Sequence, residues 1–185
     1  PEAVKKHLDT NDTVQVREVQ QEILLAYDKD ISKHAPTNEA VRINQVWKSI
    51  PSQLAKENRK FVYGVLRKGA RAKEFETAIQ WLLDAGLVYK VERVGKPSMP
   101  LNCYADFSAF KLYMLDCGLL GAMNNMPPAL MLLPNKMEES KGNFTENFVC
   151  SQLHNCASLS IFYYSKENST QEVDFVVQHN TEIAA

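Results

Sequence analysis

The segment from Asn143 to Val177 carries two acidic residues in strongly apolar surroundings. Its first part, GNFTENFVCSQLHN, has the spacing of a helix, in which Glu146 shares a face with Cys150 and other apolar residues. The runs SIFYYS and QEVDFVV then have the composition of two strands, and Asp174 lies inside the second. An unpaired buried carboxylate is costly, so each acid requires a cation, a metal ion or water. The segment predicts a helix followed by two strands.

Each acid also has a simpler interpretation. If Asn143 is the N-cap, Glu146 is the third helical residue, where a capping-box acid reaches back to the cap and meets the helix dipole. Asp174 could lie on the wet face of a half-exposed strand. Strict alternation places Val173, Phe175 and Val177 on one face and Glu172, Asp174 and Val176 on the other. The sequence leaves both interpretations open for each of the two acids.

Composition excludes several classes of protein. The 185 residues include 21 basic and 22 acidic side chains, so nothing requires a polyanionic partner. No apolar run approaches the roughly 20 residues that span a bilayer, and no signal peptide is present, so we expect no membrane partner. The four cysteines lack CxxC spacing and predict reduced thiols of a cytoplasmic protein. There is no metal-binding histidine motif, and no phosphate loop.

The first hundred residues have the element order of a winged helix. The periodicity and turn signals predict, in order, a helix end at 1–12, an amphipathic helix from Thr13, a helix through Ile43–Ile50, a further short helix at Pro51, a strand at Lys60–Leu66, a third helix at Ala72–Asp84, and two strands, LVYKVERV and LNCYAD. The loop Gly95–Pro100 would be the wing.

Basic residues precede the third predicted helix. These are Arg67, Lys68, Arg71 and Lys73. In a DNA-binding winged helix they would contact phosphates. However, Glu74, Glu76 and Asp84 lie on the same helix and would repel phosphate, and the whole chain is not basic. A solvated loop in a protein-contacting winged helix is the alternative.

The middle of the chain connects this part to the acidic segment. AFKLYMLDCGLLGAM predicts a strand ending at Asp116 and a short helical turn. We expect the apolar segment Met126–Pro134 to pack between the two halves, and Lys136–Gly142 to be a mobile connection. The predicted organisation is a helix end at 1–12, a winged helix at 13–106, a connection at 107–142 and a small sheet with a flanking helix at 143–185.

Several blocks together resemble a known group of proteins. PEAV, VWKSIPSQLAKENRKFVYG, AIQWLLDAGLVYKV, PLNCYAD, FKLYMLDCGLLG, GNFTENFV and EVDFVV are similar to the C-terminal half of predicted AAA-type ATPases from bacteria and archaea. That half is a domain of unknown function behind the ATPase module. The resemblance implies that residues 1–12 end the ATPase lid and that the upstream module is a partner. ATP and Mg²⁺ would then belong to the parent protein, and this region would need no cofactor of its own.

The C-terminal part of that group is similar to the PD-(D/E)XK nuclease fold. The resemblance implies that Glu146 and Asp174 converge on Mg²⁺, which activates water for attack on a phosphodiester. The E-x-K element of that fold is missing, since Glu182 is followed by Ile183 and Ala184. We expect it beyond Ala185. The site would then be incomplete, Mg²⁺ would bind weakly, and an unpaired sheet edge would allow association.

The sequence therefore predicts a mixed α/β (α+β) chain: a winged-helix subdomain followed by a small, truncated nuclease-like sheet. The leading functional hypothesis is a non-catalytic regulatory or target-binding region of an AAA-type ATPase, inactive by itself. The alternatives are a metal-dependent nuclease module, incomplete in this chain, and a DNA-binding winged helix.

Overall fold

The computed structural model describes residues 1–56, 58–128, 138–156, 158–166 and 171–185. Within these ranges the chain forms six α-helices and one five-stranded mixed sheet, which confirms the mixed α+β class. The helices are α1 (Glu2–Thr10), α2 (Thr13–His34), α3 (Ala40–Leu54), α4 (Glu76–Asp84), α5 (Cys117–Met123) and α6 (Glu138–Asn155). The strands are β1 (Val88–Val94), β2 (Ala105–Met114), β3 (Ser160–Ser165), β4 (Glu172–His179) and β5 (Glu182–Ala184).

The first three helices follow the predicted pattern closely. Helix α2 begins at Thr13 because Asp12 accepts hydrogen bonds from the backbone N–H groups of Val14 and Gln15, at 2.8 and 3.4 Å. Helix α3 buries its predicted stripe, and Trp47 meets Tyr27 of α2 edge to face at 6.2 Å. The separate helix predicted at Pro51 is wrong, because α3 continues through Pro51 to Leu54.

The strand predicted at Lys60–Leu66 is also wrong, because a side chain takes the place of a neighbouring strand. Gln53 of α3 bonds both backbone groups of Val62, donating to its oxygen at 3.1 Å and accepting from its nitrogen at 3.0 Å. Phe61 makes a backbone hydrogen bond to β2, donating its N–H to the oxygen of Phe110 at 2.9 Å. The chain then makes a 3-10 turn at Tyr63–Val65.

One sheet joins the two ends of the chain. Its strand order is β2-β1-β3-β4-β5, and all neighbours are antiparallel except β1 and β3. The parallel pairing is short, with Glu92–Val94 lying beside Phe162–Tyr164. The predicted boundary after residue 106 falls inside β2, and the predicted boundary after residue 142 falls inside α6.

The end of β2 is the most buried part of the sheet. Phe110, Leu112 and Met114 are buried, and Phe110 stacks on Phe61 with ring centroids 5.2 Å apart. Between them Lys111 and Tyr113 are fully buried as well. A lysine in the middle of such a strand requires charged partners, because an isolated buried ammonium is strongly disfavoured.

Other boundaries differ from the predicted ones. The returning strand begins at Ala105 rather than in LNCYAD, since Leu101–Tyr104 form a 3-10 turn. Residues 72–74 are also a 3-10 turn, and α4 starts at Glu76. Glu138–Gly142, expected in a mobile connection, belong to α6, whereas residues 129–137, and with them most of Met126–Pro134, lie outside the described residues.

All four cysteines are free thiols. In the part of the chain that the structure describes, we find no helix with the length and apolarity that a membrane crossing demands.

Candidate functional site

Helix α6 carries Glu146 into the interior. The helix starts at Glu138, more than one turn before Asn143, so the N-cap interpretation of Asn143 and the capping-box interpretation of Glu146 are both wrong. Glu146 instead lies mid-helix, only 8 % exposed, one turn from the buried Cys150. Its neighbour Asn147 is fully buried and bonds both backbone groups of Met114, at 2.8 and 3.0 Å. These bonds fix α6 against β2.

A β-bulge in β4 carries Asp174 to the same place. Phe162 pairs with Val176, and Tyr164 pairs with Val173. Between these two pairs β3 has one residue and β4 has two, so β4 bulges there. Asp174 contacts Lys111, while the adjacent Phe175 packs on Tyr113 at 5.8 Å, so both side chains face β2 and α6. The predicted strict alternation, which separates Asp174 from Phe175, is therefore wrong. Val173 and Val176 pack in a second apolar cluster with Val94 and Leu101.

Two cations hold the acids. Lys111 Nζ lies 3.1 Å from Oδ1 of Asp174, 2.6 Å from Oε1 of Glu172 and 3.9 Å from Oε2 of Glu146. The guanidinium of Arg59 pairs with Oε1 of Glu146 and lies 3.9 Å from Oδ1 of Asp174. We call these five residues, Arg59, Lys111, Glu146, Glu172 and Asp174, the ion cluster.

Neutral groups complete the surroundings of the cluster. The hydroxyl of Tyr113 donates to Oε2 of Glu146 at 3.2 Å. The ring of Tyr163 lies 5.0 Å from Lys111 Nζ, which makes a cation–π contact. Asn143 accepts a hydrogen bond from Nε of Arg59 at 3.0 Å and so orients the guanidinium.

Burial is the largest influence on the pKa values of Glu146 and its neighbour Tyr113. Desolvation raises the pKa of Glu146 to about 7, although Lys111 and Arg59 act in the opposite direction. The charge of Asp174 adds to the increase. Burial also raises the pKa of Tyr113 far above its ordinary range, so its hydroxyl remains a donor to Glu146.

The arrangement does not fit the Mg²⁺ ion that the nuclease resemblance implies. Mg²⁺ requires oxygen ligands at about 2.0–2.1 Å in octahedral geometry. Both oxygens of Glu146 already face Arg59, Tyr113 or Lys111, and Lys111 also binds Asp174. A further cation would meet two positive side chains at the same oxygens. Among the described residues no group of three His, Cys, Asp or Glu side chains is placed to hold a metal ion.

The basic residues predicted to contact DNA lie elsewhere, around the 3-10 turn before α4. Arg67 is paired with Glu74 at 2.8 Å and lies over the ring of Phe75 at 5.9 Å. Lys68, Arg71 and Lys73 are exposed. The structure thus brings Glu146 and Asp174 together and leaves this basic group outside their cluster.

Sequence reasoning missed both cations of the cluster. The sequence does contain a signal for Lys111, because this lysine lies between Phe110 and Leu112 in the apolar stretch AFKLYML. A charged residue in such a stretch is expected to need a partner. Arg59 had none, since it lies in a loop after α3 with a positive φ of 50°. Glu172 was assigned to the face of Asp174, and the structure gives them a common partner in Lys111.

Fold and site together define a class: a mixed α+β domain in which an ion cluster around a buried lysine links β2 to β4 and α6. The chain belongs to the family described as "Domain of unknown function (DUF8612)", which matches residues 1–130. A second family, "Domain of unknown function (DUF4143)", matches residues 141–185. Domains of this second family accompany AAA-type ATPases.

A curated protein gives a short match. It is the nicotinate-nucleotide–dimethylbenzimidazole phosphoribosyltransferase of Vibrio parahaemolyticus serotype O3:K6, 35% identical over 48 residues. The match covers 26% of this chain and only 14% of that enzyme. No solved structure matches the chain.

The two family matches divide the ion cluster by charge. Both cations, Arg59 and Lys111, lie in residues 1–130, and the three acids lie in residues 141–185. The same division runs between β1 and β3 in the sheet. The cluster is therefore a contact between the two family segments.

Proposed function

We propose that this chain is a non-catalytic regulatory or target-binding region that works with an AAA-type ATPase module in the cytoplasm. The match of residues 141–185 to a family that accompanies such ATPases supports the association. The block resemblance across the whole chain supports it as well. The 185 residues contain no phosphate loop, so ATP would be bound by the partner module.

The ion cluster is the observation that carries the non-catalytic part of the proposal. A metal-dependent phosphodiesterase needs carboxylates that are free to bind a metal and to activate water. In this chain Glu146 and Asp174 are paired with Arg59 and Lys111. The acids therefore contribute to the contact between the segments instead of offering ligands.

Two measurements test this proposal. Residues 1–185 should release no phosphate from ATP in the presence of Mg²⁺. Added to the separately purified ATPase module, they should bind it and change its turnover. Phosphate release that increases with the amount of the region, or a module whose binding and turnover are both unaffected, would contradict the proposal.

The position of Asp174 favours a metal-dependent nuclease module as the second candidate. Glu146 and Asp174 share the same two cations, and β5 pairs Ala184 with Val177. A strand continuing from β5 in that register would run beside Asp174 and could add a ligand. The test is cleavage of plasmid DNA by a chain extended past Ala185, with Mg²⁺. Activity that Asp174→Ala abolishes would favour this candidate, whereas an inactive extended chain would exclude it.

The exposed Lys68, Arg71 and Lys73 favour DNA contact as the third candidate, with α4 following them as the recognition helix of a winged helix. Phosphate contacts make affinity fall steeply with salt. Fluorescence anisotropy with a duplex should therefore show salt-sensitive binding that Lys68→Ala with Arg71→Ala weakens. Affinity that ignores both salt and the substitutions would argue against it.

A further inference from the structure

The two cations of the ion cluster carry together the charge of one divalent metal ion. Arg59 and Lys111 each approach both Glu146 and Asp174 within 3.9 Å. Lys111 also binds Glu172 at 2.6 Å. Three carboxylates drawn from a helix and a strand therefore surround positive side chains from other parts of the chain.

Lys111 lies among the acids and is shielded from solvent. Its side chain is 0% exposed, and the ring of Tyr163 lies 5.0 Å from Nζ. An ammonium group has three donors and no acceptor, which matches three carboxylate groups around one nitrogen. Lys111 thus links β2 to the acids of β4 through its own side chain.

Arg59 covers the outer side of the same acids. Its side chain is 19% exposed, and Asn143 of α6 accepts the Nε–H at 3.0 Å. The guanidinium therefore binds the helix that carries Glu146 at two points. Arg59 lies within residues 1–130, whereas Asn143 and Glu146 lie within 141–185.

We propose that Lys111 and Arg59 act as built-in cations among Glu146, Glu172 and Asp174, so that the first family segment neutralises the acids of the second. With both cations in place these acids are not positioned to hold a metal ion, and they would close around a divalent ion only when one cation is removed. The inference concerns the site used in the proposed function, but it makes a separate claim: removing a cation should create a metal site. Its failure would show in metal binding, whereas failure of the proposed function would show in coupling to the ATPase.

The experiment uses Mn²⁺ as the probe and its electron paramagnetic resonance signal as the readout. The wild-type chain should leave the Mn²⁺ signal unchanged. Lys111→Met keeps a long apolar side chain but removes the charge, and we expect it to bind Mn²⁺ at least about tenfold more tightly than the wild type. Lys90→Met is the matched control, because Lys90 pairs with Glu92 of its own strand and lies over the ring of Phe110, and its ion pair involves no acid of the cluster. It should behave like the wild type.

A variant that folds poorly can still be tested, through the effect of Mn²⁺ on its folding. If Lys111→Met unfolds, Mn²⁺ should restore its folding, because an ion that binds only the folded state stabilises it. Arg59→Met removes the more exposed cation and provides a second variant with the same expected gain.

Two outcomes would overturn the inference. One is stoichiometric Mn²⁺ binding by the wild type that Glu146→Gln abolishes, since the acids would then accept a metal beside both cations. The other is a lack of any gain or rescue in both Lys111→Met and Arg59→Met, since the acids would then not form a cation site when a cation is removed.

Discussion

Lys111 Nζ and Oδ1 of Asp174 lie 3.1 Å apart, although β1 and β3 separate their strands in the sheet. The contact is possible because the bulge in β4 turns Asp174 toward β2 and because the lysine stem is long. It ties two strands that share no backbone hydrogen bond. The stability of the C-terminal strands should therefore depend on a residue far away in sequence.

Lys111→Ala should destabilise the protein strongly. The substitution removes a fully buried cation and leaves the buried Glu146 and the half-exposed Glu172 and Asp174 without it. Breaking a buried pair on one side typically costs about 3–5 kcal/mol, and the solvent exposure of two of the acids places the expected loss at the lower end of that range. Urea unfolding followed by circular dichroism measures the change in the free energy of unfolding. Lys90→Ala is the control and should cost less than about 1 kcal/mol, because its pair with Glu92 is partly solvated. Equal losses in both variants would contradict the central role of Lys111.

The free energy of unfolding should fall as pH rises from 4.5 to about 7. The pKa of Glu146 goes from 4.5 to about 7 on folding, because burial disfavours the charged form. Between these values the folded state binds the proton and the unfolded state does not, so raising the pH favours unfolding. Urea titrations across this range measure the slope. Glu146→Gln cannot titrate and should show a flatter profile; an unchanged slope would assign the effect to another group.

Asn147→Ala should cost about 2–4 kcal/mol. The side chain bonds the N–H and the oxygen of Met114 at 2.8 and 3.0 Å, and both backbone groups lose their partner in the variant. Thermal and urea unfolding measure the loss. Asn155→Ala, at the exposed end of the same helix, is the control and should change stability little. If the two variants are equally stable, water has replaced the lost bonds.

Amide hydrogens of β3, β4 and β5 should exchange faster than those of α3 and β1. The C-terminal strands join the rest of the sheet through the short pairing of Glu92–Val94 with Phe162–Tyr164. Apart from Tyr163, which lies in the main core, the buried apolar residues that these strands contribute are Phe162 and Val176, in a second cluster of four. Regions with fewer buried apolar contacts open locally at a lower free energy, so their amide hydrogens exchange faster. Hydrogen exchange with mass spectrometry checks this, and uniform protection across both regions would show that the chain opens only as a whole.

Part of the site could be predicted from the sequence. Glu146 and Asp174 were identified because acids in apolar surroundings need partners, and the structure gives both the same partners, Arg59 and Lys111. The identity of those partners could not be derived. Lys111 lies 35 residues or more before the acids, and contacts at such separation depend on strand order, which local periodicity does not specify.

The fold was predictable wherever one element buries a regular stripe. The stripe of α3 is the example. Predictions were wrong where a side chain replaces a backbone partner, as Gln53 does for Val62, and where a bulge interrupts alternation, as at Asp174. The prediction is also wrong at the start of α6, because the polar, glycine-containing stretch before Asn143 has the composition of a loop but is helical.

Because one family segment supplies the positive side chains and the other supplies the negative ones, exchanging either segment between relatives is not a neutral operation. A chimera would have acids without cations, or cations without acids, unless both parent proteins carry the same charged residues in the ion cluster. We therefore expect recombinants of such proteins to fold only when the two family segments come from parents with matching charges.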